Sequence, residues 1–221
     1  MRKIFVPLVV VAAAMFAYAP IAIARLPYES TMLLVQKIFY FHFATWMALT
    51  AGLIVCAIGS AMYLFGSSAT GDRYAFAAAE LVLVFGAFGL VSGTLWSRKA
   101  WGVWWLWDPR TTMTVMLMMV FLGYLLVRKY GGPGAEKLAA AMGIFGAATA
   151  PFVYKSVDWW RTIHPQTSVV RSLGAKFPGA WSVVLFCTAA FLLLFVALLA
   201  ARARLEELRG ELDRLYLAAE E

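Results

Sequence analysis

The sequence predicts an all-α, polytopic membrane protein with six transmembrane helices and a tryptophan-rich surface segment between the third and the fourth. Three observations predict this. Of 221 residues, 63% are hydrophobic and only 14% are charged, and the mean hydropathy of +0.78 lies far from the balance of a water-soluble domain. Six stretches come near the roughly 20 mostly apolar residues that a helix needs to cross a bilayer core; they run over about 4–24, 42–66, 77–95, 110–127, 138–154 and 180–201. The ten-residue alternation of a membrane barrel is absent, and runs such as Phe186 to Ala201 are apolar on every face, so helices are the spanning structure.

The first stretch opens on Arg2 and Lys3 and closes on Ala22-Ile23-Ala24, a pattern that also fits a cleaved secretion signal. Its apolar run is longer than a signal's core, and keeping it as a span places both chain ends on one side. Cys56 and Cys187 each sit deep inside a predicted span and read as small apolar core residues rather than as a disulfide or metal ligands. Residues 1–201 thus form the membrane domain. The following 202–221 carry mixed charges, with Leu205, Leu208, Leu212 and Leu215 at helical spacing and Arg209 four residues before Asp213. This tail reads as a solvated helix continuing the last span, or as a docking stripe for a partner subunit.

The net charge of +7 does not point to nucleic acid, because the basic residues are scattered through short loops instead of lying on one soluble face. They divide almost evenly between the two sides, so the positive-inside rule leaves orientation open beyond a weak vote for a cytoplasmic N-terminus. Arg25, Lys37, Arg98, Lys99, Arg110, Lys155, Arg161, Arg171 and Lys176 share the side opposite the chain ends. They suit either lipid headgroups or a carboxylated ligand. No phosphate-binding Gly-x-x-x-x-Gly-Lys-Ser/Thr and no Cys-x-x-Cys-His occurs, so the chain is expected neither to hydrolyse ATP itself nor to be a c-type cytochrome, and no acid/base or nucleophile arrangement supports an enzyme reading.

All nine tryptophans fall on that same side, four of them in Trp101-Gly102-Val103-Trp104-Trp105-Leu106-Trp107-Asp108-Pro109-Arg110. If this segment lies helically on the membrane surface, positions 101, 104, 105 and 108 share a face, an aromatic platform ending in a carboxylate. An interfacial anchor would also use tryptophan, but so many flat rings suit a large planar ligand. Both histidines lie on this side too. His42 opens the second span with Phe39 and Trp46 on its face, and His164 precedes Pro165 after Trp159-Trp160-Arg161, so its ring is displayed from a loop. Each could be a satisfied structural residue; together, beside aromatic planes and cations, they fit the two axial positions of a heme iron.

On Trp101 to Arg110, WGVWWLWDPR, with His42 before it and Ser156-Val157-Asp158-Trp159-Trp160-Arg161-Thr162-Ile163-His164 after it, the chain resembles the heme-handling membrane proteins with a tryptophan-rich outer loop. Within them it is similar to the heme exporter protein C family of cytochrome c maturation. The resemblance implies His42 and His164 as axial heme ligands, Trp101, Trp104, Trp105, Trp107 and Asp108 as the heme platform, and Lys37 and Arg110 as propionate contacts. It also implies a multi-pass protein of the bacterial inner membrane with cytoplasmic termini and a periplasmic site. The implied partners are an ABC ATPase, its membrane permease subunit, a small single-span helper and a periplasmic heme chaperone. A membrane b-type cytochrome for electron transfer is the alternative.

Overall fold

A computed structural model describes residues 2–28, 32–167 and 179–220; Arg171 and Lys176 lie outside these. Six long helices account for most of them: α1 (Arg2–Arg25), α2 (Ile38–Gly66), α3 (Ala69–Trp101), α4 (Pro109–Tyr130), α5 (Ala135–Trp159) and α6 (Ala180–Glu220). A 3-10 turn, Leu34–Lys37, leads directly into α2. Each is long and apolar enough to cross a membrane, and the chain is a multi-pass membrane protein.

Helices α2 and α3 form the centre, with α5 and α6 on α2, α4 between α3 and α5, and α1 on α6. The packing follows the logic of a bilayer, in which lipid is as apolar as leucine and small residues let helices approach closely. Ala75, Ala77, Ala78 and Ala79 of α3 are fully or almost fully buried, while large side chains such as Phe65, 87% exposed, and Phe88 point outward. The tightest approach is between α2 and α3, where a Cβ on Gly59 would lie 2.5 Å from the Gly71 carbonyl oxygen. Ser67, in the left-handed conformation, ends α2. The next residue, Ser68, starts α3 by accepting a bond from the Gly71 amide at 3.1 Å, so two residues join the central pair.

Alternate directions along the chain give the bundle two chemically different ends. At one end α3 is tied to α4 by Arg128, which donates two bonds to Asp72 at 2.7 and 2.8 Å. There it is also tied to α6 by Arg202, which donates to Glu80 at 2.6 and 2.7 Å. The other end gathers the start of α2, the end of α3, the start of α4 and the end of α5, and with them both histidines. Helix α1 is seated in the bundle through Phe16, whose ring lies 4.9 Å from that of Phe191, and through the fully buried Ala19.

Two local details differ from the sequence expectations. Residues 102–108 are not helical: α3 ends at Trp101, Gly102 takes φ +78°, and the chain runs irregularly until Asp108 caps α4. The surface-helix face shared by positions 101, 104, 105 and 108 therefore does not form, because the left-handed glycine and the proline at the start of α4 interrupt it. In the tail, α6 continues without a break to Glu220. There Arg209 pairs with Glu206 at 2.8 Å, not with Asp213, and Glu206 is also held by Arg202 at 3.1 Å.

Candidate functional site

Where α2, α3 and α4 meet the segments that follow α3 and α5, a cavity of about 480 Å³ opens, a size common for small-molecule sites. His42 and His164 both line it, together with Phe39, Trp46, Trp96, Trp101, Trp104, Trp105 and Arg110. The wall is mostly aromatic and aliphatic, with the two imidazoles and one guanidinium as its chemically distinctive groups.

His164 is held by the start of α4. Its Nδ1 lies 2.5 Å from Asp108 Oδ2, and Thr162 Oγ1 donates to the same oxygen at 2.6 Å while accepting from the His164 amide at 3.1 Å. Asp108 is the N-cap of α4: its Oδ1 accepts from the Thr111 amide at 3.0 Å, and the Thr111 hydroxyl accepts from the Asp108 amide at 3.1 Å. A carboxylate accepts only, so the imidazole proton sits on Nδ1 and the Nε2 lone pair is left to point elsewhere. Burial works to raise the Asp108 carboxyl, but the bonds from Thr111, Thr162 and His164 outweigh it and hold it below the ordinary carboxylate value. The carboxylate that caps a helix is the same one that orients the histidine.

His42 is held by a different set of partners. The Trp46 indole N–H, one turn along α2, donates to His42 Nε2 at 3.0 Å. His42 Nδ1 lies 2.8 Å from Ser92 Oγ, whose hydroxyl donates to the Gly89 carbonyl at 3.1 Å. An indole nitrogen can only donate, so Nε2 accepts and the proton of a neutral His42 sits on Nδ1. Both rings thus carry the same tautomer. Their environment is aromatic: Trp46 and Trp96 meet the His42 ring edge-on at 5.8 and 5.6 Å, and Trp101 meets the His164 ring at 5.5 Å.

The remaining expected site residues separate into those on the cavity and those off it. Trp101, Trp104, Trp105 and Arg110 line it, although Trp104 is 59% exposed and also lies under Arg98. Arg110 donates to the Tyr154 carbonyl at 2.6 Å, and its buried Nε finds no partner among the described residues. Trp107 is 71% exposed and touches the site only through the edge of Trp105, 5.3 Å away. Asp108 stands behind His164 rather than in the wall. Lys37 turns away, donating to the Ala24 carbonyl at 2.8 Å and lying 4.7 Å from the Tyr28 ring; the free carbonyls at the end of α1 attract its charge. The sequence assigned Thr162, Thr111 and Ser92 no role at the histidines, because a lone hydroxyl in or beside an apolar span carries no local signal of the histidine it will meet.

No group of three or more His, Cys, Asp and Glu forms a metal site among the described residues. Two imidazoles are too few for a bare zinc ion, but they match an iron whose four equatorial positions are already filled by a macrocycle. Compared with known proteins, residues 1–217 match the family model described as heme exporter protein C. The chain belongs to the heme exporter protein C family. It is 38% identical over 149 residues to heme exporter protein C of Bradyrhizobium diazoefficiens, covering 66% of this chain and 57% of that protein. Heme exporter protein C of Paracoccus denitrificans is 31% identical over 184 residues, covering 81% and 76%. A ccmC-like mitochondrial cytochrome c biosynthesis protein of Marchantia polymorpha is 31% identical over 134 residues, covering 60% and 57%. The match thus spans under three fifths of the Bradyrhizobium and Marchantia relatives.

Proposed function

We propose that this member of the heme exporter protein C family binds heme at the periplasmic face of the bacterial inner membrane and presents it to a periplasmic heme chaperone for c-type cytochrome assembly. The observation that carries this reading is the pair of imidazoles on one aromatic cavity, each protonated at Nδ1 and so each with Nε2 as its ligating nitrogen. Heme supplies a flat apolar macrocycle, an iron with two axial positions and two carboxylates.

His42 and His164 take the axial positions, Asp108 and Ser92 keep their tautomers, and the rings of Trp101, Trp104 and Trp105 form the platform, with Trp107 backing it from outside through the edge of Trp105. Arg110, on the cavity wall, supplies a cation for one carboxylate. Lys37 supplies the second cation by leaving the Ala24 carbonyl, and as an ammonium it acts as a point charge, without the planar fork of an arginine. Both chain ends lie at the opposite, cytoplasmic end of the bundle. Release from two imidazoles needs a driving force, which an ABC ATPase acting through its membrane permease subunit provides, with a small single-span helper in the complex. The chain itself is a transport subunit.

The test is the absorption spectrum of the protein purified in detergent, oxidised and reduced, beside a His42→Ala/His164→Ala variant. A six-coordinate spectrum that is lost or becomes five-coordinate in the variant supports the site; equal spectra, or no heme in either, return the tryptophan loop to a membrane anchor. Heme that cycles between redox states and never passes to a chaperone favours a b-type cytochrome instead.

A further inference from the structure

The two histidines are not equivalent. Among the described residues His164 Nε2 has no partner, whereas His42 Nε2 is occupied by the Trp46 indole N–H at 3.0 Å. The order of bonds around His42 is unambiguous: Trp46 donates to Nε2, Nδ1–H donates to Ser92, and the Ser92 hydroxyl donates to the Gly89 carbonyl. Every donor in this chain is directed one way because it starts at an indole, which has no acceptor.

The Trp46 ring is also wedged into place. A Cβ on Gly89 would stand 2.6 Å from Trp46 Cζ2, and one on Gly93 would stand 3.2 Å from His42 Cε1. The missing side chains of α3 are therefore the seat in which both rings lie. Helix α2 sets their spacing, since residues four apart share a face.

We propose that Trp46 is a latch on His42: it holds the ligating lone pair of that histidine in the ligand-free protein and must swing off Gly89 before His42 can coordinate. Resting on the heme reading above, this makes axial ligation sequential. His164, already oriented by Asp108 and open at Nε2, is the first ligand, and His42 closes the second position only when the indole yields. The same step run backwards offers a route for release, because the indole N–H competes with the iron for one lone pair, and its return to Gly89 leaves a five-coordinate heme held by His164 alone. Trp46 is thus a positioning residue that acts through His42.

The latch is testable with and without heme. Diethyl pyrocarbonate acylates a neutral imidazole at its free lone pair, and peptide mass spectrometry reads His42 and His164 separately in ligand-free protein. In the parent, His164 is expected to react faster than His42. Trp46→Phe, which keeps a ring and removes the donor, and Gly89→Ala, which leaves the indole no room to seat, should each speed the reaction of His42 while leaving His164 unchanged. The expected gain is roughly two- to tenfold, the net worth of one neutral hydrogen bond. Titration with hemin should show Trp46→Phe binding more tightly by a similar factor, with less five-coordinate species during the titration. Equal His42 reactivity in the parent and Trp46→Phe overturns the latch. Should the parent take up no hemin while the acylation pattern holds, the heme reading fails and the latch stands; if hemin binds through both histidines and Trp46→Phe changes neither readout, the latch fails alone.

Discussion

Asp108 and His164 lie fifty-six residues apart in sequence and 2.5 Å apart in space. One carboxylate, with a side chain only 10% exposed, caps α4 and fixes the tautomer of a candidate iron ligand, so stability and binding meet at one residue. They separate in Asp108→Asn. Asparagine caps a helix about as well as aspartate, so thermal unfolding in detergent should change little, while the imidazole loses its charged acceptor. Loss of such an outer partner typically costs about 10–100-fold in metal affinity, and a hemin titration of the variant should show a drop of that order.

The same carboxylate sets a pH dependence. Its folded value lies below the ordinary 3.8, so its contribution to stability is full above the unfolded value and is lost as pH falls through the lower folded value. Acidification should therefore loosen the contact between the α4 start and the 162–164 segment only below about pH 4. Hydrogen exchange of the His164 amide, followed against pH, should steepen there in the parent and stay flatter in Asp108→Asn.

Glycines at close approach should be sharply distinguished from glycines in open space. Gly59→Ala drives a methyl into the Gly71 carbonyl and is expected to cost about 1–3 kcal/mol, the range of overpacked positions. Gly210→Ala meets nothing within 4 Å inside α6 and should stabilise that helix by about 0.5–1 kcal/mol. Thermal melts of the two variants in one detergent, with helical signal followed for Gly210→Ala, check both signs.

At the far end of the bundle, Arg128 and Asp72 are each only 16% exposed in their side chains. Arg128→Leu leaves the carboxylate without its two donors and should destabilise the protein by about 2 kcal/mol, the scale for hydrogen bonds to charged groups. Adding Asp72→Leu should recover much of the loss, because the remaining cost in the single variant is an unpaired charge. Melting midpoints of the two singles and the double give the coupling directly.

The features read without the fold were those written locally. Span number follows from hydropathy over about twenty residues, a property of each stretch alone. The pairing of Trp46 with His42 follows from helical spacing, which is also local. Helix ends were harder: α3 runs on to Trp101, past its apolar window, because helical hydrogen bonds close within the chain and need no lipid to persist in water. The irregular course of 102–108 was hidden for the opposite reason, since one left-handed glycine and one helix-starting proline outweigh a favourable pattern of ring positions.

By itself the sequence determined that this chain crosses a membrane six times and that its tryptophans and both histidines belong to one side, since both depend only on order and spacing along the chain. Only the tertiary structure decided that His164 leans on Asp108 and Thr162, that Ser92 and Gly89 of another helix complete the surroundings of His42, and that Lys37 faces Ala24 while Trp107 faces outward. Those contacts depend on which helix faces which and on competition among nearby donors and acceptors, and no residue's neighbours in sequence specify either.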